Sequence, residues 1–218
     1  MFSFLQQYLK PYSIPLLISM YIAGLIGYLT PIATWFTQLT TFNLILSTLI
    51  VLLNHKHFSP KLVWYIGFAC LYGFFIEVIG VKTGLIFGTY YYETTLGWKL
   101  WETPLVMGVN WFMLLYISSS FVAKWENHFL AKAFLATNIM VALDFLIEPV
   151  AMKYHFWQWE NGIVPLQNYI GWWIGAFLLQ IGWHKLQLAE NNPAANGLLL
   201  LQYLFFGILN LFFLATHH

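Results

Sequence analysis

Charged side chains are scarce in this sequence. They make up 8% of its 218 residues, whereas about a quarter is usual in a soluble domain. All nine basic residues are lysine, so the chain lacks the guanidinium fork that commonly clamps phosphate groups. The net charge of +1 also provides no basic surface for nucleic acid. A soluble domain and a nucleic-acid partner are therefore both excluded.

Cysteine is nearly absent as well. The single residue of this type, Cys70, excludes an internal disulfide and any metal site built from several cysteines. The chain has no Asp-rich magnesium motif, which argues against a prenyl diphosphate transferase, and no Gly-rich nucleotide loop. The last apolar stretch contains no lysine, which excludes a retinal Schiff base at that position.

Hydrophobic residues are abundant: they make up 60% of the chain, and the mean hydropathy is +0.69. A helix needs about 20 apolar residues to cross a bilayer, and continuous apolar runs favour helices over strands. Seven stretches meet this condition: 13–30, 32–53, 62–80, 103–123, 129–148, 166–184 and 197–216. The sequence thus predicts an all-α, polytopic integral membrane protein with about seven transmembrane helices in a single membrane domain, residues 1–218.

The lysines indicate how these helices are oriented. Six of them lie on the face that contains the N-terminus, and three lie on the opposite face. Because cytoplasmic loops are enriched in lysine, we expect the N-terminus to be cytoplasmic. The two longer loops, 81–103 and 149–165, would then lie on the outer face.

These two loops resemble each other. Each follows a glutamate, Glu77 or Glu148, and each glutamate is followed five residues later by a lysine. An aromatic cluster comes next, and a proline opens the following helix. The two helix pairs that carry the loops, 62–123 and 129–184, run in the same direction. This pattern is typical of a parallel internal repeat, which would place a site between the two halves.

Three carboxyl groups lie at membrane depth beside the loops. Asp144 and Glu148 are four residues apart and share a helix face, and Glu77 lies on the same side of the membrane. One interpretation is structural, with Lys82 and Lys153 holding the glutamates in ion pairs. Asp144 lies one turn deeper, where a carboxyl group in apolar surroundings keeps its proton and can act as a general acid.

Aromatic side chains are concentrated in the same loops. Tyrosine and tryptophan often form a belt at the membrane interface, which is one interpretation. The other is a lining that shields a cationic intermediate, because ring faces attract cations without acting as nucleophiles. Asn110 and Asn168 could orient a water or a carboxyl group, or form interhelical hydrogen bonds.

Glycine and histidine add two further alternatives. Gly80, Gly84 and Gly88 recur every four residues, which is typical either of a helix-packing stripe or of a turn that admits close backbone approach. His155 lies beside the acidic residues, but carboxylates with one histidine do not select a metal. We therefore expect no metal ion.

Two ordered motifs within residues 72–175 carry a family resemblance. They consist of Glu77, Gly80, Thr83, Gly84, Phe87, Gly88, Tyr90, Tyr92, Pro104 and Trp111, followed by Asp144, Glu148, Pro149, Trp157, Trp159, Pro165, Asn168, Gly171 and Trp172. Together they resemble the membrane carotenoid biosynthesis proteins that include carotenoid 1,2-hydratase, also called bisanhydrobacterioruberin hydratase.

The resemblance implies cofactor-independent hydration of the terminal double bond of a carotenoid, either lycopene-like or monocyclic. Protonation at C2 would leave a tertiary cation at C1, to which water adds. We expect Asp144 to donate the proton, and Glu148 or Glu77 to hold and deprotonate the water. The substrate-binding residues would be Tyr90, Tyr92, Trp111, Trp157, Trp159, Asn110, Asn168 and Trp172.

Two other functions stay open. A carotenoid cyclase starts with the same protonation but ends in proton loss. A non-catalytic carotenoid- or lipid-binding protein or transporter would use the acidic cluster as a structural element or a proton relay. The resemblance further implies that the protein lies in a bacterial or archaeal cytoplasmic membrane and contacts lipid. Association with other carotenoid pathway enzymes is a further option that the resemblance raises.

Overall fold

The computed structural model describes residues 2–125 and 128–216, and it is mainly helical. Its helices are α1 (Phe2–Tyr28), α2 (Ala33–Gln38), α3 (Thr40–Leu53), α4 (Pro60–Thr83), α5 (Val106–Val122), α6 (Phe129–Lys153), α7 (Leu166–Lys185) and α8 (Pro193–Thr216). The predicted single span 32–53 is wrong in one respect, because α2 and α3 are separate helices on either side of Leu39.

Within residues 2–125 and 128–216, four helices are long and apolar enough to cross a membrane: Tyr8–Tyr28 of α1, and the whole of α4, α6 and α8. The helices α3 and α5 are apolar but shorter, at 14 and 17 residues. The predicted all-α membrane fold is therefore confirmed. The count of seven spans and the cytoplasmic N-terminus stay predictions.

The helix α5 forms the centre of the bundle and contacts α3, α4, α6, α7 and α8. Fourteen of its 17 residues are buried. A helix that is apolar on all sides is expected in such a central position. Close packing is helped by Gly108, because a Cβ atom there would collide with the Cys70 carbonyl oxygen of α4.

The two long loops lie together at one end of the bundle, as the sequence predicts. They contain four short strands, β1 (Tyr90–Tyr92), β2 (Lys99–Leu100), β3 (Thr103–Pro104) and β4 (Trp157–Trp159). The antiparallel pair β1–β4 joins the loops, and β2 pairs with β3 within the first loop. Strands of two or three residues are too short to show alternation, so the sequence does not predict them.

The glycines after α4 form a turn. Gly84 ends the helix with φ of +65°, and Gly88 has φ of +102°, a conformation that a residue without Cβ adopts easily. The start of α4 is also well defined: the Ser59 side chain accepts a hydrogen bond from the Leu62 amide, and Pro60 is the first residue of the helix. The turn interpretation is confirmed, and a helical stripe through all three glycines is wrong.

Candidate active site

A small cavity lies at the end of the bundle that carries the β1–β4 pair. Its volume of about 10 Å³ leaves room for about one water molecule. The residues that line it are Glu77, Phe87, Tyr90, Tyr92, Met107, Asp144, Glu148, Trp157, Trp159, Asn168 and Trp172. Nine of the eleven predicted site residues therefore surround one space.

Glu77 is buried near the end of α4, with 1% of its surface exposed. The hydroxyl groups of Tyr90 and Tyr92 donate to its Oε2 atom, at 2.5 and 2.7 Å. Alternate residues of a strand point to the same side, so β1 presents both hydroxyls together. The indole Nε1 of Trp111 donates to Oε1 at 2.8 Å. Three donors therefore hold this carboxylate.

Glu148 is buried in α6 and also has three donors. The indole Nε1 atoms of Trp157 and Trp159 donate to Oε2, at 2.9 and 2.7 Å. The side-chain amide of Asn168 donates to Oε1 at 3.1 Å. An indole N–H group donates and never accepts. Glu148 is therefore held as a hydrogen-bond acceptor, because the two tryptophan N–H groups can only donate to it.

Asp144 lies one turn before Glu148 and has the fewest donors of the three. Among the described residues, its hydrogen bond comes from Asn168 Nδ2, which is 3.3 Å from Oδ2. None of the ion pairs found in residues 2–125 and 128–216 involves these three carboxyl groups. Three buried negative charges without a cation would be strongly unfavourable, so at least one group keeps its proton. With a single donor, Asp144 is the group whose ionised form is stabilised least.

The interpretation in which lysines hold the glutamates does not agree with the structure. Lys82 Nζ lies 2.8 Å from Glu102 Oε1 at the surface instead. Glu77 and Glu148 are held by hydroxyl, indole and amide donors. These glutamates therefore belong to the cavity and not to a surface ion pair.

His155 lies outside the cavity. Its side chain is exposed, and its Nδ1 atom is 3.0 Å from Glu93 Oε1. Within the described part of the chain, no group of three or more His, Cys, Asp and Glu side chains is arranged to hold a metal ion.

The two tyrosines of β1 keep their protons over the ordinary pH range. Burial raises the pKa of both hydroxyl groups, and the nearby Glu77 carboxylate raises it further. Each side chain is 6% exposed. Tyr90 and Tyr92 therefore remain O–H donors to Glu77.

Two predicted residues do not line the cavity. Trp111 lies behind it, donates to Glu77, and stacks on Trp172 with ring centroids 4.0 Å apart. Asn110 is half-buried on α5 and points away, since neighbouring residues of a helix differ by about 100°. Met107 was missed by the sequence analysis. The signal that could have found it is its position one turn before Trp111, on the same face of α5.

An apolar groove of about 540 Å³ runs beside the cavity, between α4 and α7. Ile86 and Gly171 line the groove, and the residues that follow them, Phe87 and Trp172, line the cavity. The rings of Phe87 and Trp172 have centroids 6.3 Å apart. One layer of side chains thus separates the groove from the carboxyl groups.

Known proteins resemble this chain in sequence. The profile of a family described as "Carotenoid biosynthesis protein" matches residues 38–217. The chain is also 32% identical, over 115 residues, to a protein of Haloarcula japonica named bisanhydrobacterioruberin hydratase. That alignment covers 47% of this chain and 38% of the relative, so the chain spans less than half of the relative's length. No solved structure matches the chain.

Proposed function

The chain belongs to the carotenoid biosynthesis protein family, and we propose that it adds water to the terminal C1–C2 double bond of an acyclic carotenoid end group. A carotenoid-modifying enzyme is what the family and the hydratase-named relative support. The observation that supports the finer proposal is the unequal distribution of hydrogen-bond donors, which favours a proton on Asp144 and ionised forms of Glu77 and Glu148.

The first step is proton transfer from Asp144 to C2 of the alkene. The O–H bond of Asp144 breaks, a C–H bond forms at C2, and the π-electron pair leaves a tertiary cation at C1. A buried carboxylic acid is suited to this step, because bulk water is excluded from the cavity and does not compete for the proton.

The second step is capture of the cation by water. The oxygen of the water that the cavity can hold bonds to C1, and a proton passes to Glu148. Transfer of that proton from Glu148 to Asp144, which is one turn away on α6, restores the starting state. No oxidant or reductant is consumed.

The ring faces around the cavity stabilise the cation between these steps. Such contacts contribute about 2 kcal/mol or more when they are desolvated. The ionised Glu77 adds negative charge on the opposite wall. Its tyrosine partners keep it from attacking the cation, because Tyr90 and Tyr92 occupy both lone pairs of Oε2.

The groove between α4 and α7 provides the approach for the polyene. A carotenoid is about as long as the roughly 30 Å hydrocarbon core is thick, so its chain can stay in lipid while one end reaches the cavity. The cavity has room for about one water, which is too little for an end group. Phe87 and Trp172 must therefore move apart when the substrate enters.

Expression in a bacterium that accumulates lycopene, followed by mass spectrometry of the pigments, tests the proposal. Hydration increases the mass by one or two waters. A cyclised product of unchanged mass would mean that the protein cyclises the end group and does not hydrate it. Unmodified lycopene and unmodified monocyclic carotene, each with confirmed membrane expression, would favour a binding or transport protein. Asp144→Asn is the matched inactive variant, and Glu102→Gln makes the same chemical change at the surface.

A further inference from the structure

A second cavity lies apart from the acidic one, among α1, α3 and α8, with α2 at its edge. Its volume is about 240 Å³, and its walls are almost entirely apolar. It follows α1 from Tyr21 to Tyr28, a distance of about 10 Å at the helical rise. Leu39 and Phe42 are exposed at its edge, so the cavity opens on the side of the bundle.

One buried polar side chain that lines this cavity has an atom without a partner. Gln202 of α8 is 3% exposed, and its Nε2 atom donates to the Tyr21 hydroxyl at 3.1 Å. Within the described residues, its Oε1 atom has no hydrogen-bond partner. Buried amide oxygens normally have one, and hydrocarbon cannot supply it. The other hydroxyl groups here are paired, since Tyr28 and Thr40 bond to each other at 2.7 Å.

We propose that this cavity binds a long-chain apolar alcohol, with its hydroxyl group on the Gln202 amide. A hydroxyl both donates and accepts, so it pairs with the free end of the amide whichever way the amide is turned. The chain of the alcohol lies against the rings of Tyr21, Tyr28 and Phe205, which pack edge to face. A ligand without a hydroxyl would leave the amide oxygen unpaired and therefore bind more weakly.

The second loop contributes one wall residue to this site and the next one to the acidic cavity. Phe156 lines the apolar cavity, and the next residue, Trp157, lines the acidic one. The tertiary alcohol of the proposed hydration belongs to the ligand class inferred here. Binding of an alcohol does not itself require that reaction.

Photolabelling of the purified full-length protein in nanodiscs tests the site. The probes are a long-chain isoprenoid alcohol that carries a diazirine and the hydrocarbon of the same length without the hydroxyl. Mass spectrometry should find the alcohol on peptides of α1 and α8, with labelling about tenfold above that of the hydrocarbon. Gln202→Leu should lower labelling by the alcohol to the level of labelling by the hydrocarbon. Gln38→Leu, at an exposed position, should change labelling by neither probe.

A second variant fills the cavity. A Cβ atom on Gly24 would lie 3.5 Å from the Phe205 ring, which is ordinary contact, so the backbone tolerates a side chain there. Gly24→Phe should abolish labelling of α1 and α8 by both probes. Equal labelling of the wild type by alcohol and hydrocarbon would overturn the proposal. Because no carotenoid is used, loss of hydration activity and loss of alcohol binding are separate results.

Discussion

The two halves of the acidic cavity are built in the same way. In the first half, Glu77 takes two donors from β1 and one from α5. In the second half, Glu148 takes two donors from β4 and one from α7. The strands that supply the donors pair with each other, and Tyr90 lies opposite Trp159. The arrangement agrees with the parallel repeat that the sequence suggests.

The halves differ four residues before each glutamate. The first half has Gly73 at that position, and the second has Asp144. A Cβ atom on Gly73 would collide with the Cβ atom of Trp111, so no side chain fits there while Trp111 reaches Glu77. In the second half α7 contributes the smaller Asn168, which contacts Asp144 directly. In the mechanism that we propose, proton transfer therefore belongs to the second half, and the first half supplies a fixed negative charge.

The largest expected effect on turnover comes from replacing Asp144, the carboxyl group that has no counterpart in the first half. Asp144→Asn should lower turnover about 10²–10⁴-fold, the usual contribution of a general acid. The fold should persist, because the amide oxygen can still accept from Asn168. Product formation in membranes with equal amounts of protein measures the change. Glu102→Gln, which alters an exposed carboxylate, should leave turnover intact. Near-normal turnover in Asp144→Asn would remove it from the acid role.

The next effect compares the two glutamates. Glu148→Gln should lower turnover about 10²-fold, because it removes the proposed base, whereas Glu77→Gln should lower it about tenfold through lost charge alone. The Glu77→Gln variant should fold, since tyrosine hydroxyls can accept from the new amide as well as donate to it. Turnover of both variants at equal expression tests the ranking. The opposite ranking would place water capture in the first half.

A smaller effect concerns the donors of the first half. Tyr90→Phe removes a hydrogen bond to a buried carboxylate and should lower the free energy of unfolding by about 1.5–3 kcal/mol. In the Glu77→Gln background the same change should cost about 0.5–1.5 kcal/mol, because the acceptor is no longer charged. Denaturant titration of the four proteins in detergent gives the coupling. An unchanged cost in both backgrounds would mean that Tyr90 acts through packing and not through Glu77.

Most residues that line the cavity could be predicted from the sequence. Carboxyl groups at membrane depth are rare, and the repeated spacing after Glu77 and Glu148 marked both loops. The partners of these groups could not be predicted, because the bonds depend on how β1 pairs with β4 across 60 or more residues. The sequence analysis accordingly offered Lys82 and Lys153 as partners of the glutamates and did not identify the tyrosine and tryptophan donors.

The fold shows a similar limit. Hydropathy predicts where apolar helices lie, but it does not detect the break at Leu39, since both sides of the break are apolar. Asn110 was chosen because it is polar and adjacent to Trp111 in sequence. On a helix, adjacent residues point in different directions, and Met107 shares the face of Trp111 instead.

The smallest expected effect tests the ion pair of the first loop. Lys82→Gln should change the free energy of unfolding by less than about 1 kcal/mol and leave turnover within about twofold, because an exposed pair contributes little. Lys153→Gln is the corresponding change in the second half and should behave alike. Thermal unfolding and turnover of the two variants provide the measurement. If Lys82→Gln lowered turnover as much as Glu77→Gln does, a lysine would supply charge to the cavity. The assignment of the proton to Asp144 would then lose its basis, since that assignment depends on three buried carboxyl groups without a cation.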